Sequence, residues 1–205
     1  RSFRKVKRNE KEIRMIRDNL QQQIKKLLTD ELGETIENNG VLRAFAEGLG
    51  MFDRSAIVEL SWMEFADGAK NAWPILQFYS TLAAEIEDKD IAGIKRRLTD
   101  LNEQTMLGHY GYYAPLHQIY HCYRLPLDPD CPESSLKLTE YSLKQILRQL
   151  DVFLDYVLTI ADNPESMDVE EYAMVTHAGD ILSECIGVLQ DAFESIDLPS
   201  ARDSK

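Results

Sequence analysis

The stretch LKQILRQLDVFLDYVLTIA, from Leu143 to Ala161, carries the strongest structural signal in the sequence. Its apolar residues recur at alternating spacings of four and three, which is typical of a helix that packs in a bundle. The residues of this repeat are Leu143, Leu147, Leu150, Leu154, Val157 and Ala161. Asn163-Pro164 follows and ends the predicted helix, because proline cannot continue it. The stretch therefore predicts a long helix with one buried side.

Most of the remaining chain consists of apolar segments separated by short loops. The segments Val41–Phe52, Ile57–Phe65 and Trp73–Leu82 are interpreted as helices, Asp90 as the cap of another, and Asp168–Ile196 as the last helix. No segment is interpreted as alternating strictly between apolar and polar residues, so strands are not predicted. The predicted fold class is all-α, a single helical bundle of six or seven mostly antiparallel helices.

The predicted domain organisation has three parts. Residues 1–36 form a long, basic, amphipathic helix that serves as a linker or oligomerisation element, or else docks on the body. Residues 37–197 form an acidic helical domain, and residues 198–205 form a disordered tail. The chain starts at Arg1 and not at Met, so we expect a fragment of a longer chain or a processed product.

Charge is distributed unevenly along the chain. The net charge is −12, yet residues 1–28 contain ten basic and three acidic side chains, a net +7, which leaves −19 on the rest. An acidic body repels phosphates, so nucleic acid is not an expected partner. Membrane binding is not expected either, because Phe3 is the only aromatic anchor on the basic helix and no apolar run is long enough to span a bilayer.

The basic helix is the predicted contact surface for a protein partner or for a second copy of the chain. Its apolar side chains form a narrow stripe, which is typical of a coiled-coil seam, and basic residues lie beside it. The predicted interface comprises Ile13, Ile16, Leu20, Ile24 and Leu27, flanked by Arg14, Arg17, Lys25 and Lys26.

The segment HYGYYAPLHQIYHCY, His109–Tyr123, contains three of the four histidines. On a helix after Pro115, His117 and His121 would share one side at a spacing of four, which allows two imidazoles to bind one transition metal ion, with His109 folding back as a third ligand. The alternative is that the histidines are structural and that no cofactor is present. The sequence favours this alternative, because it places no further ligand.

The tyrosines of the same segment offer a second kind of site. Tyr112, Tyr113 and Tyr120 combine apolar area with hydroxyl groups and could line a small-ligand pocket. The alternative is that they pack over the end of the bundle. A row of Glu170, His177, Asp180 and Glu184 on the last helix resembles a metal-binding face, but such a row is more often solvated, and that interpretation is favoured.

The predicted function is a non-enzymatic regulatory, adaptor or sensory domain that acts through protein–protein contacts. No phosphate-binding loop, dinucleotide fingerprint, zinc-protease motif or nucleophile elbow occurs in the sequence. Three cysteines without paired spacing indicate a reducing compartment, and we expect a cytoplasmic protein. The alternative function is a metal- or small-ligand-binding helical enzyme centred on His117 and His121.

Overall fold

The chain folds as a mixed α/β protein, so the prediction of an all-α helical bundle is wrong. The computed structural model describes residues 10–63, 74–86, 90–128 and 131–176. The described residues up to Asp162 form three α-helices and a six-stranded antiparallel sheet. The helices are α1 (Glu10–Leu32), α2 (Ile91–Gln104) and α3 (Pro132–Asp162). The strands are β1 (Thr35–Asn38), β2 (Val41–Leu49), β3 (Arg54–Trp62), β4 (Ile75–Ala83), β5 (His109–Tyr113) and β6 (Gln118–Pro126).

The strands lie in the order β1-β2-β3-β4-β6-β5, and every pair is antiparallel. Segments that the sequence analysis assigned to helices are strands β2, β3, β4 and β6. In β2 the side chains of Leu42, Ala44 and Ala46 are buried, while Arg43 and Phe45 between them are exposed. This period of two defines one buried face of a sheet, and it is incompatible with a helical stripe.

A tight turn at Asn39-Gly40 starts the sheet where a helix end was predicted. Asn38 pairs with Val41, so two residues connect β1 to β2. Both turn residues have positive φ, 50° for Asn39 and 76° for Gly40. A two-residue hairpin needs these angles, and Asn-Gly adopts them at low cost. The N-terminal helix, predicted to extend to residue 36, ends at Leu32, and Ile36 belongs to strand β1.

Several predicted helix boundaries are confirmed. The stretch Leu143–Ala161 lies inside α3, which ends at Asp162 with Asn163 as its cap. Asp90 caps α2, because its side chain accepts a hydrogen bond from the backbone N–H of Gly93 at 2.9 Å.

All three helices lie on one face of the sheet. The indole N–H of Trp62 in β3 donates to Gln21 of α1, the hydroxyl of Tyr110 in β5 lies against α3, and Lys95 of α2 lies 5.7 Å from the ring centre of Tyr112. The core is formed between these helices and the inward side chains of the strands. Its largest fully buried members are Ile24, Leu28, Leu60, Leu76, Phe78, Ile94, Leu101, Tyr110, Ile119, Leu127, Leu143 and Tyr156.

The chain divides into two compact units, Arg1–Ser166 and Met167–Lys205. The first contains the sheet and all three named helices. In the second, the described residues include a helical segment over 169–176, and Asp168 accepts a hydrogen bond from the N–H of Glu171 at 2.8 Å. The predicted tail at 198–205 lies outside the described residues. None of the described helices is both long and apolar enough to cross a membrane.

Candidate functional site

The sheet face opposite the helices, here called the open face, exposes a patch of apolar side chains. Ile36 and Phe45 are each 52% exposed, and Ile57, which pairs with Phe45 across β2 and β3, is 39% exposed. The strands that carry these side chains are held rigidly in the sheet by backbone hydrogen bonds. An apolar patch on a fixed scaffold is the usual mark of a binding surface.

A stack of two tyrosines continues this face onto strands β4 and β6. The rings of Tyr79 and Tyr120 lie 5.2 Å apart with an angle of 18° between their planes, and His109 contacts the edge of Tyr120 at 5.8 Å. Gly111 on β5 leaves room for the stack, because a Cβ atom there would lie 2.6 Å from the Tyr120 ring. The stack therefore lies close against the backbone of β5 at Gly111.

Hydrogen bonds hold the polar ends of the stack. The side-chain amide of Gln118 donates to the hydroxyl of Tyr79 at 2.6 Å. Burial raises the pKa of Tyr79 above its ordinary value, and the bond from Gln118 offsets part of this rise. Tyr79 is therefore a neutral phenol at physiological pH and serves for packing and hydrogen bonding.

Charged groups on the open face are already engaged with neighbours in the sheet. Arg43 forms an ion pair with Glu59 on the adjacent strand, and the Nε–H of Arg124 donates to the amide oxygen of Gln77 at 3.2 Å. The Arg43–Glu59 pair is balanced in charge, whereas Gln77 is neutral and does not balance the positive charge of Arg124. Near Phe45 and Ile57, the apolar patch thus lies beside a balanced ion pair.

The three histidines do not share one side of a helix, because their segment is the hairpin of β5 and β6. His121 faces the helices and is fully buried, whereas the neighbouring positions of the ladder place His109 on the open face. His117 lies at the exposed turn between the strands, with φ at +47°. Among the described residues, no group of three His, Cys, Asp or Glu side chains is arranged to hold a metal ion.

His121 is held as a neutral, structural imidazole. Its Nε2–H donates to the carbonyl of Leu107 at 2.8 Å, and no described residue forms a hydrogen bond with its Nδ1 atom. Burial lowers its pKa to about 4, an effect to which the nearby charge of His109 adds and which the bond to Leu107 partly opposes. The imidazole therefore stays uncharged near neutral pH and packs against the ring of Tyr110 at 5.0 Å.

The tyrosines predicted to form one pocket lie on different faces of the sheet. Tyr113 and Tyr120 belong to the open face, while Tyr112 lies on the helix side below Lys95 and contacts His117 through its hydroxyl at 3.3 Å. Of these three, Tyr120 belongs to the candidate surface through its stack with Tyr79.

Two apolar members of the predicted interface on α1 pack against the body of the protein. Leu20 and Ile24 are 2% and 1% exposed, Leu27 is half-buried, and Lys25 bonds to Glu37 on β1 at 3.0 Å. Lys26 is exposed. The side chains of Ile13, Arg14, Ile16 and Arg17 lie outside the described residues.

The predicted acidic row on the last helix is described only at its first member. Glu170 is exposed, as expected for a solvated side of a helix, and His177, Asp180 and Glu184 lie outside the described residues.

Sequence reasoning missed Phe45, Ile57 and Tyr79, the centre of the open face. Their signal is the position of each between two buried neighbours on β2, β3 and β4. No protein-family model, curated protein or solved structure matches this chain.

Proposed function

We propose that the chain is a non-enzymatic protein-recognition domain that binds a partner protein on the open face of its sheet. The observation that carries the proposal is the exposure of Ile36, Phe45 and Ile57 on adjacent strands, next to the Tyr79–Tyr120 stack. The core of a protein interface is apolar, and aromatic side chains near its centre contribute much of the binding free energy.

Charge defines the chemistry of the partner. The chain carries a net charge of −12, whereas the ion pair of Arg43 with Glu59 leaves the middle of the open face locally neutral. A contact surface with an apolar centre and a rim of lysine and arginine complements both features. The acidic chain would accelerate the encounter with such a rim, and the apolar centre would hold the complex.

The open face supports this assignment better than α1 does. The side chains of Leu20 and Ile24 already pack within the protein, so a partner could reach them only after α1 had detached.

We also propose that the protein works in a reducing compartment. Cys122 and Cys131 are free thiols, which fits a reducing environment such as the cytosol.

The first step of the test identifies the partner by photo-crosslinking. A photoreactive phenylalanine analogue is placed at position 45 of the full chain, expressed in the cells from which the sequence derives, and a control chain carries the analogue at Leu138, an exposed apolar position on α3. We expect a defined protein crosslinked from position 45 and not from position 138. Crosslinking only to a second copy of the chain would overturn the proposal of a separate partner.

The second step measures affinity with that partner in purified form. Phe45→Thr and Ile57→Thr remove apolar area while keeping residues that favour strands, and Leu138→Thr and Val152→Thr are the matched controls on α3. We expect at least tenfold weaker binding for the open-face variants and unchanged binding for the controls. Equal affinities for the two pairs would contradict the assignment of the surface.

A further inference from the structure

A cavity of about 690 Å³ lies at one end of the sheet, separate from the open face. It is bounded by the end of β4, the first turn of α2 and the last turn of α3. Its inner part is lined by the buried side chains of Leu82, Ile86 and Ile94 and by the half-buried Leu158. Its volume falls within the range of pockets that enclose small molecules, roughly 300–1,000 Å³.

The described residues that line the cavity carry an excess of negative charge. Its one described cation, Arg54, is engaged with Asp155, whose carboxylate is 3.3 Å from the Arg54 Nε atom and almost fully buried. Asp90 uses an oxygen to cap α2. Glu85 and Asp162 also lie on the rim, and neither forms a hydrogen bond or ion pair with another described residue.

The end of α3 adds a second source of negative potential. Asp162 is the last residue of this 31-residue helix, and the last turn contains no basic residue. The carbonyl groups at a helix end carry partial negative charge, so a carboxylate there is unfavourable and a cation is favourable. The helix end and Asp162 both bound the cavity, where the Nε–H of Arg97 already donates to the carbonyl of Pro164 at 2.8 Å. Asp162 itself has no ion pair with a described residue, so a further positive group beside it is favourable.

We propose that this cavity binds a small organic cation, a primary ammonium group carried on a methylene chain, as in alkylamines and polyamines. The ammonium group lies between Glu85 and Asp162 at the end of α3, where each carboxylate accepts a charge-assisted hydrogen bond. The methylene chain lies against Ile94 and Leu158 in the inner part of the cavity. The proposal is independent of the open face and of any protein partner.

The test compares three probes of equal chain length against the full chain at low ionic strength. Hexylammonium, hexanol and hexanoate share the same apolar body and differ in charge at the head group. We expect saturable binding of hexylammonium by titration calorimetry, at least tenfold weaker binding of hexanol and no binding of hexanoate. Equal binding of all three probes would overturn the proposal, because the carboxylates would then play no part.

Two double variants separate the site from general attraction to an acidic protein. Glu85→Gln with Asp162→Asn removes both rim charges, and Glu103→Gln with Glu133→Gln removes two exposed carboxylates from α2 and α3 that do not line the cavity. We expect hexylammonium affinity to fall at least tenfold in the first and to stay unchanged in the second. An equal loss in both would contradict a defined site.

A measurement without ligand checks that the rim variants fold and tests the strain at the helix end. Asp162→Asn alone should raise the Tm of the unliganded chain, because it removes a carboxylate from the negative end of α3. The same variant should reduce the increase in Tm that hexylammonium produces in the unchanged protein. An unliganded Tm at or below that of the unchanged protein would contradict the unfavourable position of Asp162.

Discussion

The side chain of Asn102 on α2 bonds both backbone groups of Tyr110 at the outer edge of β5. Its Nδ2 donates to the Tyr110 carbonyl at 2.9 Å, and its Oδ1 accepts from the Tyr110 N–H at 2.7 Å. One amide side chain thus takes the place that a further strand would occupy next to β5. Edge strands expose unpaired backbone groups that favour aggregation, and this contact covers them at the centre of the edge.

Asn102→Ala should destabilise the protein by about 2 kcal/mol, because it leaves two partly buried backbone groups without a partner. The check is urea unfolding, together with amide hydrogen exchange at Tyr110, which should become faster. Gln104→Ala, an exposed change on the same helix, is the control and should lie within about 0.5 kcal/mol of the unchanged protein. If Asn102→Ala matched this control in both measurements, the edge contact would have no role in stability.

Gly50→Ala should cost more stability than Gly40→Ala, although both glycines have similar positive φ angles, 72° and 76°. The left-handed conformation itself costs an L-residue about 1 kcal/mol at each position. A Cβ atom at position 40 meets no atom within 4 Å, whereas at position 50 it lies 2.3 Å from Oδ2 of Asp155. This oxygen accepts a hydrogen bond from the N–H of Met51 at 2.7 Å, so the clash also disturbs a partly buried hydrogen bond.

We therefore expect a loss of about 3 kcal/mol or more for Gly50→Ala and about 1 kcal/mol for Gly40→Ala in chemical unfolding. A double-variant cycle with Asp155→Ala isolates the clash, since removing the carboxylate should make Gly50→Ala less costly. Additive losses in the cycle would show that Asp155 does not mediate the effect.

Stability should fall as the pH is lowered from about 6.5 to about 4, through His121. Its pKa is about 4 in the folded protein and 6.5 as the ordinary value, so the unfolded chain takes up the proton first. The stability that neutral His121 contributes is fully present above pH 6.5 and is lost as the pH falls to the pKa of the folded protein. Each unit between the two pKa values corresponds to about 1.4 kcal/mol, so the total loss is about 3 kcal/mol.

The measurement is the free energy of unfolding at pH 6.5 and pH 4 for the unchanged protein and two variants. His121→Leu should reduce the difference between the free energies of unfolding at the two pH values. The Leu107 carbonyl keeps a hydrogen-bond partner in this variant, because the side-chain amide of Gln149 also donates to it at 2.9 Å. His117→Asn at the exposed turn should leave the difference as it was, since Asn tolerates the positive φ there. A pH difference retained by His121→Leu would assign the acid sensitivity to other groups.

Helix α3 could be predicted from the sequence, whereas the sheet could not. Over Leu143–Ala161 one side of the helix is apolar and the other polar, so its period is unambiguous. In β3, by contrast, exposed Ile57 stands beside buried Val58, and the run of apolar residues hides the period of two. The same outward Ile57 and Phe45 form the candidate binding surface, so the feature that creates the site also masked the strands.

The face of the sheet on which each histidine lies depends on the strand register, which no local sequence pattern reveals. The pairing of Tyr110 with His121 sets both side chains toward α3, and a shift by one residue would have exposed them. The spacing of His117 and His121 has meaning only on a helix, and that assignment was wrong. Residues that act through a long-range pairing, such as Asn102 with Tyr110, are found only once the sheet is known.

The sequence pattern assigns Leu20 and Ile24 on α1 to an interface. In the structure they are 2% and 1% exposed and pack in the core with Leu28. Leu20→Ala and Ile24→Ala should each lower the free energy of unfolding by about 2–4 kcal/mol, because each leaves a cavity in packed surroundings. Gln22→Ala and Lys26→Ala, exposed neighbours on the same helix, should change it by less than about 0.5 kcal/mol.

Solution mass measured by light scattering on the same four variants separates a core helix from an assembly helix. A core role predicts that Leu20→Ala and Ile24→Ala change stability while the mass of the folded protein stays equal to that of the unchanged chain. If α1 forms a seam between two copies, the Leu20→Ala and Ile24→Ala variants should have a smaller mass than the unchanged chain. Their unfolding should also no longer depend on protein concentration, as that of an assembled chain does. That second pattern would mean that α1 leaves the body in solution and that its apolar stripe binds another chain.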